Sequence, residues 1–120
     1  MQCVGVDIIE IDRIGKLIQR WGKTFLQRVY TPSELELYTN TSSLAVRFAA
    51  KEAILKALGA CDKGISWQDI EVLAESNGKP VINLAGKAKQ QACELSIKKL
   101  NISLSHAKGY AVAFVVGETI

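Results

Sequence analysis

The chain has 120 residues, of which 48% are hydrophobic and 22% charged; this suits one folded domain over residues 1–120 and excludes a disordered chain. A chain of this size removes roughly two-thirds of its unfolded surface from water, enough for one core. The net charge is only +3 and the longest basic run is Lys98-Lys99, so nucleic acid is not the expected partner, while an anionic small molecule or an acidic protein fits.

Gln2 to Ile9 reads as a strand of small and β-branched residues, interrupted by Asp7. Asp12 can cap a helix in which Ile14, Leu17, Ile18 and Trp21 recur at helical spacing and Gly22 is the stop. Phe25 to Tyr30 predicts one or two further helical turns. Thr31, Pro32 and Glu34 form a capping-box start for a helix that ends near Tyr38. Asn40 to Ser43 reads as a loop ending in a cap, followed by a helix over Val46 to Gly59.

Ile70 to Glu75 and Val81 to Leu84 are strands, joined by a two-residue turn at Asn77-Gly78. Gly86 to Leu100 reads as a helix with Ala88, Ala92, Leu95 and Lys99 along one side. Asn101 to His106 alternates as a strand, Lys108-Gly109 turns, and Tyr110 to Val116 returns as a well-buried strand. The elements do not alternate as βαβα, which predicts an α+β fold with an antiparallel sheet packed with helices.

Cys3, Cys61 and Cys93 are widely separated and show no CxxC spacing, so they read as small buried hydrophobes in a reducing compartment. The chain shows no charged segment leading into an apolar run and no stretch of membrane-spanning length. The expected place is the cytoplasm, with no membrane attachment.

The helix over Val46 to Gly59 carries the chemistry. At 100° per residue, Leu44, Phe48, Leu55 and Leu58 share an apolar face that includes Lys51, with Glu52 at its edge. Ala45, Ala49, Ala53 and Ala57 form a second face suited to close packing. Glu52 and Lys56 stand at i and i+4 in the favourable order, a surface pair worth about 0.3–0.5 kcal/mol. An ammonium at Lys51 must snorkel out or meet an anion. Asp7 either caps the next turn or joins Glu52; one or two carboxylates with phosphate oxygens make a typical Mg²⁺ site. His106, the single histidine, ends an alternating strand after Ser103 and Ser105. It is either structural or a donor to a phosphate or adenine edge.

Three stretches, GVDIIEIDRI (Gly5 to Ile14), RFAAKEAILKALG (Arg47 to Gly59) and SLSHAKGYAVAFVV (Ser103 to Val116), resemble the bacterial holo-acyl-carrier-protein synthases, the small phosphopantetheinyl transferases. Phe25 to Tyr38 and the turn Asn77 to Pro80 are also similar to that family. The resemblance covers nearly the whole chain and implies the 4′-phosphopantetheinyl transferase-like fold. It implies transfer of phosphopantetheine from coenzyme A to a serine of apo acyl carrier protein, with adenosine 3′,5′-bisphosphate leaving. By the same resemblance Asp7 and Glu52 hold Mg²⁺, with Mn²⁺ as a substitute. Glu52, or a water on the metal, takes the serine proton; Lys51 and Lys56 neutralise phosphate, and Arg47, Ser105 and His106 meet the nucleotide end. Arg13, Phe25 and Arg28 match the family's docking surface for the carrier protein. The resemblance further implies a homotrimer with active sites between subunits. The segment after Gly59, ACDKGISW, departs from the glycine-rich run of the family and leaves the role of residues 60–66 open.

A different class of function, a non-catalytic nucleotide- or nucleic-acid-binding module, accounts for the positive charge. It does not account for Asp7 and Glu52 in a phosphate site, because carboxylates repel phosphate unless a cation intervenes.

Overall fold

The computed structural model describes residues 2–59 and 64–119. In chain order the elements are β1 (Gln2–Glu10), α1 (Ile11–Trp21), α2 (Lys23–Val29), α3 (Pro32–Leu37), α4 (Thr41–Ala57), a 3₁₀ turn (Trp67–Asp69), β2 (Ile70–Ala74), β3 (Pro80–Leu84), α5 (Gly86–Glu94), β4 (Ile97–Ala107) and β5 (Tyr110–Thr119). The α+β class expected from the sequence is observed. A three-stranded antiparallel sheet has the order β1-β5-β4, and β2 and β3 form a separate hairpin.

The long helix α4 lies across one face of the three-stranded sheet. Its alanines make this possible: Ala45, Ala49 and Ala53 are fully buried, as are Ala111 and Ala113 of β5. Small side chains on both layers let helix and sheet approach closely. Gly5 on β1 marks the closest point, where an added Cβ would run into the Ala53 carbonyl and the Ala57 amide. The alanine face therefore covers the chain's own sheet and is not left over for a partner. Much of the apolar surface that remains exposed lies on the opposite sheet face, where Val4 is 60%, Ile8 63% and Phe114 47% exposed.

Several local readings change. Asp12 sits in the first turn of α1 and Glu10 holds the cap position without a side-chain cap bond. The helix α4 starts at Thr41, since Asn40 caps it through the Ser43 amide at 2.8 Å. The hairpin between β2 and β3 closes on Glu75 and Lys79, with three residues at its tip instead of two. The helix expected over 86–100 ends at Glu94, and Ser96 adopts a positive φ of 56°. Tertiary pairing overrides helix propensity here: Ile97, Lys99 and Leu100 pair with Thr119, Glu118 and Gly117 of β5. β5 is buried on one face only, through Ala111, Ala113, Val115 and Gly117. Cys93 is exposed and Cys3 half-buried, both as free thiols; Cys61 and the rest of 60–63 lie outside the described residues.

Candidate functional site

Asp7 follows the close approach at Gly5 on the same inner face of β1, so its carboxylate meets α4 directly. Lys56 Nζ lies 3.2 Å from Asp7 Oδ1 and donates to the Val6 carbonyl at 3.0 Å. Lys56 thus closes on Asp7, not on Glu52 as the i, i+4 spacing predicted. Glu52 stands one helical turn before Lys56. Burial pushes its carboxyl above the usual carboxylate range and the charge of Asp7 pushes it further, while Lys56 and Arg13 pull it back. Two acids are held close enough to repel, beside two cations.

That arrangement fits a divalent cation. Among the described residues no three His, Cys, Asp or Glu side chains converge as a protein-only cage. A pair of carboxylates left open to phosphate and water is the donor set that Mg²⁺ takes. The mutual repulsion of Asp7 and Glu52 is the feature that a cation relieves.

A second cluster lies on the other flank of α4. Arg47 is about 140° around the helix from Glu52, at 100° per residue. Its guanidinium sits 3.6 Å over the Tyr38 ring, and its Nε is buried with no hydrogen-bond partner. Arg47, Ser43, Gly78, Ser105 and His106 line an open cleft of about 360 Å³ at the β4 edge of the sheet. Ser105 and His106 leave β4 on opposite faces and meet at the cleft rim. The structure therefore divides the expected site: Asp7, Glu52, Lys56 and Arg13 gather at the β1 edge, and Arg47, Ser105 and His106 at the β4 edge.

Lys51 belongs to neither cluster. Its side chain is 0% exposed and its Nζ lies 2.8 Å from Glu34 Oε1, also fully buried. The same ammonium donates to the Trp67 carbonyl at 3.2 Å and to the Ile70 carbonyl. Three acceptors use all three N–H bonds, so none is left for a phosphate. This corrects the placement of Lys51 on the phosphate. Burial pushes its pKa down, and the Glu34 carboxylate beside it holds the charge against that. Sequence reading found Glu34 only as a cap residue. Its Oε1 does accept from the Thr31 amide at 2.9 Å, and its Oε2 accepts from the Val72 amide at 2.8 Å.

Of the expected docking residues, Arg13 and Arg28 are exposed. Phe25 is half-buried, edge-on to Tyr30 and stacked on Phe48, whose ring continues onto Trp67 at 5.0 Å. Only part of the Phe25 ring is open to a partner. No helix among the described residues is long and apolar enough to cross a membrane.

The model of the 4′-phosphopantetheinyl transferase superfamily matches residues 3–115. The chain is 48% identical to a holo-[acyl-carrier-protein] synthase of Herpetosiphon aurantiacus, over 98% of both chains. It is 49% identical to one of Dehalococcoides mccartyi, over 98% of this chain and 99% of that one. The fold superposes on the crystal structure of the Helicobacter pylori holo-[acyl-carrier-protein] synthase in complex with coenzyme A. The TM-score is 0.87 at 38% identity, covering 96% of this chain and 99% of that one.

Proposed function

The chain belongs to the holo-[acyl-carrier-protein] synthases of the 4′-phosphopantetheinyl transferase superfamily, and from that premise we propose how its two charged clusters serve Mg²⁺-dependent transfer of phosphopantetheine from coenzyme A to apo acyl carrier protein. The carrier serine Oγ forms a bond to the β-phosphorus of the coenzyme. The bond from that phosphorus to the bridging oxygen breaks, and adenosine 3′,5′-bisphosphate leaves. The observation that carries this reading is the pair Asp7 and Glu52, like charges held together beside Lys56.

Asp7 and Glu52 would hold Mg²⁺, which when bound supplies charge neutralisation for the pyrophosphate. Lys56, half-exposed, can turn from Asp7 to a phosphate oxygen. Glu52 is the carboxylate placed to accept the proton of the attacking serine. Arg47, which lines the cleft, takes the nucleotide end together with Ser105 and His106. Phosphoryl transfer needs little else than such positioning and charge. Arg13 and Arg28 attract the acidic carrier protein, and the open part of the Phe25 ring adds an apolar contact.

The two clusters lie on opposite flanks of α4, so one coenzyme reaches both most simply if each cluster comes from a different copy. The exposed apolar sheet face formed by Val4, Val6, Ile8 and Phe114 supports such assembly. In this reading the protein is a cytoplasmic homotrimer that supplies holo carrier protein to fatty acid biosynthesis.

The test is incubation with coenzyme A, Mg²⁺ and apo acyl carrier protein, with the phosphopantetheine adduct read by mass. No adduct, or full activity in EDTA, overturns the reading. Sedimentation equilibrium showing an active monomer overturns the shared site.

A further inference from the structure

The Trp67–Ile70 stretch lies against α4, and much of what holds it there is polar. The ammonium of Lys51 binds the carbonyls of Trp67 and Ile70 and the carboxylate of Glu34 at one point. Glu34 in turn holds the Val72 amide of β2 and the Thr31 amide of α3. The Thr31 hydroxyl donates to Glu71, and Glu71 accepts from Asn83 of β3. Gln68 Nε2 donates to the carbonyls of Gln27 and Tyr30 and fastens the 3₁₀ turn to the end of α2. Phe48 of α4 stacks on Trp67. Every polar atom of the Lys51–Glu34 pair is used, and removal of either partner strands the other in the core.

We infer that Lys51 and Glu34 are positioning residues: a buried clamp that fixes α3, β2 and the Trp67–Ile70 segment onto α4 and so sets where Arg47 and Glu52 stand. Arg47 and Glu52 flank Lys51 on the same helix, and Phe48 links the clamp to the turn before it. The β2–β3 hairpin, whose Gly78 and Pro80 close one wall of the Arg47 cleft, hangs from the same network. Loss of the clamp loosens that wall and the α4 side chains facing it. This inference rests on the coenzyme A reading of the cleft for its functional consequence, but not for its structural one.

The test uses Trp67 as reporter. Trp21 is exposed, so a Trp21→Phe background leaves Trp67 as the single tryptophan. Lys51→Met and Glu34→Gln are each made in that background. Both are expected to shift Trp67 emission to the red and open it to acrylamide. Both should weaken coenzyme A binding by about 10-fold to 100-fold, as misplacement of binding groups does, and the double substitution should cost little more than either alone. Glu34→Gln keeps an acceptor for the Thr31 amide and carries the test if Lys51→Met does not fold. Lost coenzyme binding with unchanged Trp67 emission in Lys51→Met, or normal emission and binding in Glu34→Gln, overturns the clamp. If the unsubstituted protein does not bind coenzyme A, the functional reading fails while the tryptophan arm still decides the clamp.

Discussion

The two flanks of α4 use charge in opposite ways. Toward α3 and β2, Lys51 is sealed in the core with every donor satisfied. Toward β1, Glu52 and Asp7 repel one another, and Lys56 is left 49% exposed against the Asp7 carboxylate and the Val6 carbonyl. The same residue type, five positions apart on one helix, is a buried structural tie in one place and a half-exposed cation beside the acids in the other. The difference teaches how to separate scaffold from site: polar groups that satisfy each other hold the fold together, whereas groups held in mutual conflict await a ligand.

The sharpest way to break that contrast is to remove the conflicted acids. Asp7→Ala or Glu52→Ala should lower transfer by about 100-fold or more while leaving the fold intact, as loss of transition-state charge stabilisation does. EDTA should do the same to the native chain, with Mg²⁺ or Mn²⁺ restoring it; product assays and circular dichroism together check both halves.

Next in size is the lysine comparison. Lys51→Ala leaves Glu34 buried and unpaired and should cost about 3–5 kcal/mol of stability. Lys56→Ala should cost at most about 1 kcal/mol yet lower activity. Urea unfolding beside initial rates separates them; equal stability losses would erase the distinction between the flanks.

A smaller effect concerns Glu52 and pH. Its carboxyl is raised above the ordinary value, so the folded chain keeps a proton that the unfolded chain releases. Stability present below the ordinary carboxylate pKa is therefore lost as pH rises through the raised one. Glu52→Gln, tested in EDTA at neutral pH, should melt at a higher temperature than the native chain, and the gain should vanish on acidification through that window. Metal affinity of the native chain should fall over the same acid window, because the proton competes for the carboxylate. A lower melting temperature for Glu52→Gln would show that no repulsion is stored there.

The smallest effects belong to the docking arginines. Arg28→Ala should raise the Michaelis constant for carrier protein and leave that for coenzyme A unchanged. Arg13→Ala should raise it too and also shift the pH profile, because Arg13 faces Glu52. Added salt should mimic Arg28→Ala, since exposed charges are screened over about 8 Å at physiological ionic strength.

Much of this was legible in the order of residues alone. The strand carrying Asp7, the capping box at Thr31 and Glu34, the helix with Arg47, Glu52 and Lys56, and the final hairpin all follow from local periodicity and turn chemistry. Each depends on neighbours a few positions away. The resemblance of three motifs points to the family without any geometry. Local rules failed where pairing partners are distant in sequence. Ile97 to Leu100 became strand because the end of β5 was waiting for it.

Tertiary structure alone decided what each charge is for. Helical spacing offered Glu52 to Lys56, but β1 pressed close at Gly5 and brought Asp7 to Lys56 instead. Spacing put Lys51 among apolar neighbours without saying what met it; the answer was Glu34, 17 positions earlier and buried with it. The alanine face could have served a partner, yet it packs on the chain's own sheet and leaves the outer face of β1 and β5 uncovered. The reason is physical: periodicity reports which way a side chain points from its own element, while burial and pairing depend on what the rest of the chain places opposite it.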